Sequence, residues 1–413
     1  MTYYRHLLAI AAVAIFFTSV HRYPPVYDLV LPVVWVQFLC VLSLPLLFNR
    51  KARANALRSP VTLWCFGYVL VTILWFFHSS QSDISWQEVR WRLLTITTLI
   101  SFVLIFADSG VVRLARQTLV IAVLFGVALN IYELFGPLPF NEVPGRSAGL
   151  YLNPNQAGEA LVMGMILSTT VLPVWFRIPF ILLAGIGIFT TVSRGSIIVW
   201  LIAVSAFMLM RMARVKDLLL SVFLSLLLVA VVVLPRLDEL LTTLERTGVS
   251  NKNVLERLNW FTDPTGISDN SSWVRKYLAK QAWEKIEDNP FIGSGTGSSR
   301  EVVIGAHNQY LAFMQDHGLL GAAILPLFIL AATWGARGEI RGLAITFGCA
   351  VFLLSFFSHT ILNDEYSLVS FALMAAMVST SRESEIAKTI VGEARGTKAR
   401  RLRSVPQPVR SST

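Results

Sequence analysis

Val61-Thr62-Leu63-Trp64-Cys65-Phe66-Gly67-Tyr68-Val69-Leu70-Val71-Thr72-Ile73-Leu74-Trp75-Phe76-Phe77 contains no charged side chain, and its reading decides the fold class. A helix on the surface of a soluble protein alternates apolar and polar faces with a 3.6-residue period. This stretch is apolar all round, and it approaches the ~20 residues that a bilayer-spanning helix needs. Leu114–Phe135, Ile197–Met210 and Leu218–Pro235 repeat the pattern almost uninterrupted. Over 413 residues, 54% are hydrophobic and only 15% charged, and the mean hydropathy is +0.61. A soluble chain of this length would be expected to divide into two or three domains, and those domains could not hide so much apolar surface. The fold class that follows is an all-α polytopic membrane protein.

The hydrophobic pattern predicts about 12 transmembrane helices, near residues 7–20, 26–48, 61–77, 93–107, 114–135, 157–176, 178–192, 196–212, 217–235, 318–335, 342–357 and 366–381. The first resembles the apolar core of a signal peptide. No small-x-small cleavage site follows it, only His21-Arg22-Tyr23-Pro24-Pro25, so it reads as a retained helix. With the N-terminus inside, the short inner segments hold Arg5, Arg50, Lys51, Arg53, Arg58, Arg113, Arg116, Arg177, Arg211, Arg214, Lys216, Arg337 and Arg341. The short outer segments hold Arg22, Arg90, Arg92, Arg146 and Arg194. Thirteen basic residues against five satisfies the positive-inside rule, and twelve helices place both termini in the cytoplasm.

The chain then divides into transmembrane helices over 1–235, a long outer loop over 236–305, further transmembrane helices over 306–381 and a basic tail over 382–413. The tail reads as a disordered cytoplasmic segment drawn to anionic membrane lipids, with no fold around it for reading nucleic acid. The net charge of +10 is thus mostly topology. Cys40, Cys65 and Cys349 are scattered through apolar runs, with neither metal-ligand nor disulfide spacing, and read as small core residues.

Three outer regions join polar side chains to helix-breaking residues. Pro144-Gly145-Arg146-Ser147-Ala148-Gly149-Leu150-Tyr151-Leu152-Asn153-Pro154-Asn155-Gln156 places amides near a helix start. Ser193-Arg194-Gly195-Ser196 sets an arginine between two apolar runs, where it needs an anionic partner. In the long loop, Leu237, Leu240, Leu241 and Leu244 form one helical face, and Val254, Leu255, Leu258 and Phe261 another. A third helix, Trp273–Asp288, follows Ser271-Ser272 and ends at Asn289-Pro290. Trp260, Phe261, Trp273 and Trp283 supply aromatic anchors to the membrane face. Gly293-Ser294-Gly295-Thr296-Gly297 is a turn or an anion-binding nest. His307-Asn308-Gln309-Tyr310 then opens the stretch leading to His317-Gly318.

Gly-Leu-Tyr-x-Asn-Pro-Asn (149–155), Thr-Val-Ser-Arg-Gly-Ser (191–196), Arg275 with Trp283, Pro290 and Gly293-Ser294-Gly295, and His307-Asn308-Gln309-Tyr310-Leu311 with Gly318-Leu319-Leu320-Gly321 occur in that order. Over roughly residues 140–325 this series resembles the O-antigen ligase family, within the ligase/polymerase superfamily of membrane glycosyltransferases. The resemblance implies a GT-C-like fold and a metal-independent, inverting transferase without cofactor, in a bacterial inner membrane with its active site facing the periplasm. Its donor would be an undecaprenyl-diphosphate-linked glycan and its acceptor a sugar hydroxyl of lipid A–core. The family's functional arginines and histidine fall on Arg194, Arg275 and His307, with Arg146 a further candidate.

The chemistry is coherent with those residue types. Guanidinium groups stabilise the charge that grows on a departing diphosphate, standing in for a divalent metal. His307 is the candidate acceptor of the hydroxyl proton, or orients the acceptor. Asn153, Asn155, Asn308 and Gln309 would bind sugar or phosphate, and Glu133 or Glu159 would pair with an arginine or act as the base. Interfacial solvation of Arg194, a solvated basic face shared by Arg275 with Lys276, Lys280 and Lys285, and simple capping by His307 are the ordinary alternatives. A polymerase extending lipid-linked glycan has similar chemistry, whereas a protein O-glycosyltransferase is expected to carry an extra periplasmic domain. A transporter, the rival of another class, would need carboxylates in mid-membrane, but Asp and Glu keep almost entirely to loops and helix ends.

Overall fold

The computed structural model describes residues 2–23, 29–136, 141, 143, 145–212, 214, 216–217, 219, 270–301 and 307–403. All the regular structure among the described residues is helical, without strands. Helices α1 (Thr2–Ala11), α2 (Pro32–Ser43), α3 (Arg50–Leu57), α4 (Pro60–His78), α5 (Asp83–Ile105), α6 (Ser109–Phe135), α7 (Pro154–Ser168), α8 (Val174–Thr190) and α9 (Arg194–Leu209) form the first part. Next come α10 (Asn270–Asp288), α11 (Gln309–His317), α12 (Gly321–Thr333), α13 (Glu339–Leu354) and α14 (Glu365–Arg403).

Helix α4 shows what solvates the bundle. Its inner face, Val61, Cys65, Tyr68, Thr72 and Phe76, is buried, yet the opposite face exposes Leu63, Phe66, Leu70 and Phe77, the first 73% exposed. An apolar outer face of this kind belongs in hydrocarbon. Pro60–His78, Ser109–Phe135 and the α11–α12 run Gln309–Thr333 are long and apolar enough to cross a membrane, and the pair Pro32–Phe48 and Arg50–Leu57, bent by 110°, would make a fourth span. Thr2–Phe17, Val174–Thr190 and Arg194–Leu209 are apolar but shorter.

Every expected helix among the described residues has a counterpart. The expected helix over 217–235, the leucine face over 237–244, the face from Val254 to Phe261 and the anchors Trp260 and Phe261 lie outside the described residues. Helix α5 begins at Asp83, ten residues before its expected start, because Glu88 and Arg92 pair within the protein and so are tolerated in the helix. Helix α14 corrects the reading of a disordered tail. It continues through Arg403, since good helix formers follow Ser381 and no proline interrupts the run before Pro406.

The connections gather at two ends of the bundle. At one end Arg177 donates to the Met212 carbonyl (2.9 Å), Arg116 to the Leu167 carbonyl (2.8 Å) and Arg382 to the Gly335 carbonyl (3.1 Å). The other end gathers Arg22, Arg92, Arg146 and Arg194 with α10 and the start of α11. The core between them packs closely. A Cβ at Gly185 would stand 2.4 Å from the Trp200 ring, holding α8 against α9.

Candidate active site

The loop before α7 is built on Glu133. One of its carboxylate oxygens accepts from the Ala148 and Gly149 amides, both at 2.8 Å, and the other from the Asn141 side chain. Glu133 is thereby occupied as the anchor of a turn, in which Gly145 and Gly149 adopt φ of +83° and +52°. The turn directs Arg146 inward, where it is 3% exposed. Its Nε donates to the Thr191 carbonyl (2.8 Å) and its Nη2 to Asn155 Oδ1 (3.0 Å). Arg146 thus ties the 145–155 turn to the 191–196 junction.

That junction is pressed against α7. A Cβ at Gly158 would lie 2.5 Å from Ser196 Oγ and 3.2 Å from Thr191 Oγ1. Gly158→Val is therefore expected to destabilise the protein by about 1–3 kcal/mol, as overpacking does, and to lower its melting temperature in detergent. Arg194 opens α9 and is partly buried. The next residue, Gly195, leaves room for Phe357, whose ring would stand 2.9 Å from an added Cβ. The 355–364 loop is in this way brought against the start of α9.

Arg275 does not share a solvated face with its neighbouring lysines. In α10 it falls on the stripe of the buried Leu278, Ala282 and Ile286, whereas Lys276, Lys280 and Lys285 are exposed. It is close enough to act electrostatically on both His307 and Glu159. Trp273 and Trp283 remain 56% and 49% exposed, the first stacked on Tyr277.

His307 has φ of +48°, an uncommon conformation for a side-chain-bearing residue. It is not the cap of α11. That task belongs to Asn308, whose Oδ1 accepts from the Tyr310 and Leu311 amides at 3.0 and 3.2 Å. Asn153 does the same for α7, accepting from the Asn155 amide at 2.9 Å. The Asn308 amide NH2 thus remains a donor for a ligand, while its oxygen is committed to structure. Gln309 is buried, its backbone amide bound to the Ser355 carbonyl (2.9 Å), and among the described residues its Oε1 has no partner. Burial, together with the Arg275 guanidinium, pulls the His307 imidazole below its usual value.

The glycine-rich loop is an anion-binding nest for an internal anion. Gly293, Gly295 and Gly297 all have positive φ, and the Gly297 amide (3.3 Å), Ser299 amide (2.8 Å) and Ser298 hydroxyl (3.0 Å) converge on the Asp316 carboxylate. Asp316 also pairs with Arg92, which holds Glu88 (2.8 Å) and approaches His317 Nε2 (2.7 Å). Arg300 completes the cluster on Glu88. His317 is committed to this buried hub, whose ion pairs fix the loop between α10 and α11. Among the described residues, no group of three His, Cys, Asp or Glu side chains converges to hold a metal ion.

Sequence reading missed a second polar cluster. Arg22 donates to Asp364 (2.8 Å) and Glu365 (2.7 Å), and Gln156 and Thr360 also donate to Asp364, at 3.0 and 2.6 Å. Tyr366 donates to the buried Glu159 at 2.8 Å. Asp364 and Tyr366 begin the last apolar helix and carry no motif, so only the fold brings them to Glu159. His359, whose place at a helix end suggests in sequence only an interfacial role, stands with its ring centroid 4.8 Å from that of His307.

The turn at 145–155, the 191–196 junction, the inner face of α10, the start of α11 and the 355–364 loop thus meet at one end of the bundle. Residues 179–326 match the family model described as O-antigen ligase. This segment is an O-antigen ligase family domain. The O-antigen ligase segment contains Arg194, Arg275, His307, Asn308 and Gln309, and begins after Arg146, Asn153 and Asn155. The same family model covers ligases and polymerases of lipid-linked glycans, polytopic membrane enzymes of the glycosyltransferase type. No curated protein matches the chain.

Proposed function

We propose that the protein is an O-antigen ligase of a bacterial inner membrane, with the site facing the periplasm and the basic end of the bundle facing the cytoplasm. It transfers a polysaccharide from undecaprenyl diphosphate to a sugar hydroxyl of lipid A–core. The observation that carries this reading is the meeting of Arg275 and His307, within the family segment, beside Glu159 and the 191–196 junction.

The reaction is one displacement with inversion at the anomeric carbon. The acceptor oxygen forms the new glycosidic bond, the bond from the anomeric carbon to the diphosphate oxygen breaks, and the electron pair leaves with the undecaprenyl diphosphate. Arg194 and Arg275 bind that leaving group, and their fixed charges act most strongly where water is excluded. His307, held neutral by burial and Arg275, takes the acceptor's proton. Arg146 and Asn155 brace the junction that presents Arg194, and Asn153, Asn308 and Gln309 line the approach of sugar or phosphate. No metal or cofactor takes part in this scheme.

Deleting the gene in its host and separating the lipopolysaccharide on a gel tests the reading. The expected pattern is bare core, with polymerised glycan retained on the lipid carrier. Core bearing a single repeat unit would identify a polymerase. An unchanged pattern would exclude both.

A further inference from the structure

The 355–364 loop holds an aromatic partner for the candidate proton acceptor. The rings of His307 and His359 have centroids 4.8 Å apart and planes at 86°, so that one presents its edge to the face of the other. The contact crosses the fold. His307 precedes α11, His359 follows α13, and the Gln309 amide bond to the Ser355 carbonyl (2.9 Å) locks the two segments together. On either side of His359 in sequence the same loop supplies Ser358, which bonds Glu159, and Thr360, which bonds Asp364.

We propose that His359 is a positioning residue for His307, holding the imidazole in its receiving orientation and supporting the imidazolium that forms when a proton arrives. The inference rests on the reading of His307 as proton acceptor. Among the described residues, the charged groups that act on the pair are Arg275 from α10, on His307, and Arg300 from the turn after the glycine-rich loop, on His359. Burial first, then His307 and Arg300, bring His359 down to about 4. His359 therefore stays neutral while its neighbour takes up a proton. A neutral aromatic ring beside a new cation attracts it, and His307 itself sits in an uncommon backbone conformation, with φ of +48°.

Two variants separate this role from simple packing. His359→Leu fills the space without an aromatic face, and His359→Phe restores the face without a nitrogen. The full-length protein in detergent is labelled with diethyl pyrocarbonate, which reacts with neutral but not with protonated imidazole, and modification of His307 itself is followed by mass spectrometry against pH. His359→Leu is expected to move the His307 midpoint to lower pH by about one unit, the tenfold change in proton affinity that loss of such a contact gives. His359→Phe is expected to keep the parental midpoint. In transfer assays His359→Leu should lower kcat about tenfold with little change in KM, and His359→Phe should recover most of it.

An unmoved midpoint in His359→Leu would overturn the proposal. So would a His359→Phe variant as impaired as His359→Leu. Retained transfer by His307→Ala would instead overturn the reading of His307 as proton acceptor, and the labelling midpoints would still decide whether the rings are coupled.

Discussion

Purified protein carrying His307→Ala or Arg275→Ala is expected to transfer no detectable glycan, a loss of at least about 100-fold to 1,000-fold for each. Arg194→Ala should behave likewise. The two groups do different work, so their losses should differ in kind. Without His307 the acceptor hydroxyl loses the group proposed to take its proton. Without Arg275 the departing diphosphate loses a fixed positive charge, and His307 loses the guanidinium that helps hold it neutral. Lys276→Ala, on the exposed face of the same helix, is the matched control and should leave transfer unchanged. The acid limb of the pH profile follows from the direction of the His307 shift. Because the neutral imidazole is the active form and its pKa is lowered, transfer should persist through the usual imidazole range and decline only below it. Loss of activity above that range would contradict the assignment. Melting temperatures near that of the parent protein would show that the variants fold.

Arg92→Leu is expected to give the largest loss of stability, about 3–5 kcal/mol. Arg92 is 2% exposed, and its guanidinium pairs with both Glu88 and Asp316. Among the described residues, removing it leaves Asp316 buried with its loop donors and Glu88 with Arg300. The loop that sets α10 and α11 relative to α5 should then loosen, so Arg275 and His307 should be misplaced as well. Thermal unfolding in detergent provides the measurement. Arg92→Leu combined with Asp316→Asn should cost less than Arg92→Leu alone, because the amide carries no buried charge and still offers an oxygen to the loop donors.

Much of this was legible in the sequence, for physical reasons. Apolar runs such as Val61–Phe77 can satisfy their backbone only as helices in a bilayer, so helix positions followed from hydropathy. The segregation of arginine and lysine is the feature of the sequence that distinguishes inner from outer segments. Helix α10 was read almost to the residue, from Ser271-Ser272 before it and Asn289-Pro290 after it. The start of α5 was not legible, because a charge pair buried against another helix looks in sequence like a polar loop. The extent of α14 was missed because a polar, well-formed helix has no apolar period to mark it.

At the candidate site, residues within motifs were legible and residues brought by the fold were not. Arg146, Arg194, Arg275 and His307 stand in recognisable segments. The buried stripe that sets Arg275 apart from Lys276 and Lys280 emerges once α10 is packed on α11. Asp364, Tyr366 and His359 come from far along the chain, and their roles depend on contacts with Glu159 and His307. Asn153 and Asn308 were read for their amides, but helix starts claim their oxygens first.

The most direct test is transfer by the purified protein in lipid vesicles, supplied with undecaprenyl-diphosphate-linked glycan and lipid A–core and treated with a metal chelator. Glycan should appear on lipid A–core, visible as a shift on a gel, at the same rate with and without the chelator. Strict dependence on added Mg²⁺ or Mn²⁺, or glycan that lengthens only on its lipid carrier, would contradict an arginine- and histidine-based ligase.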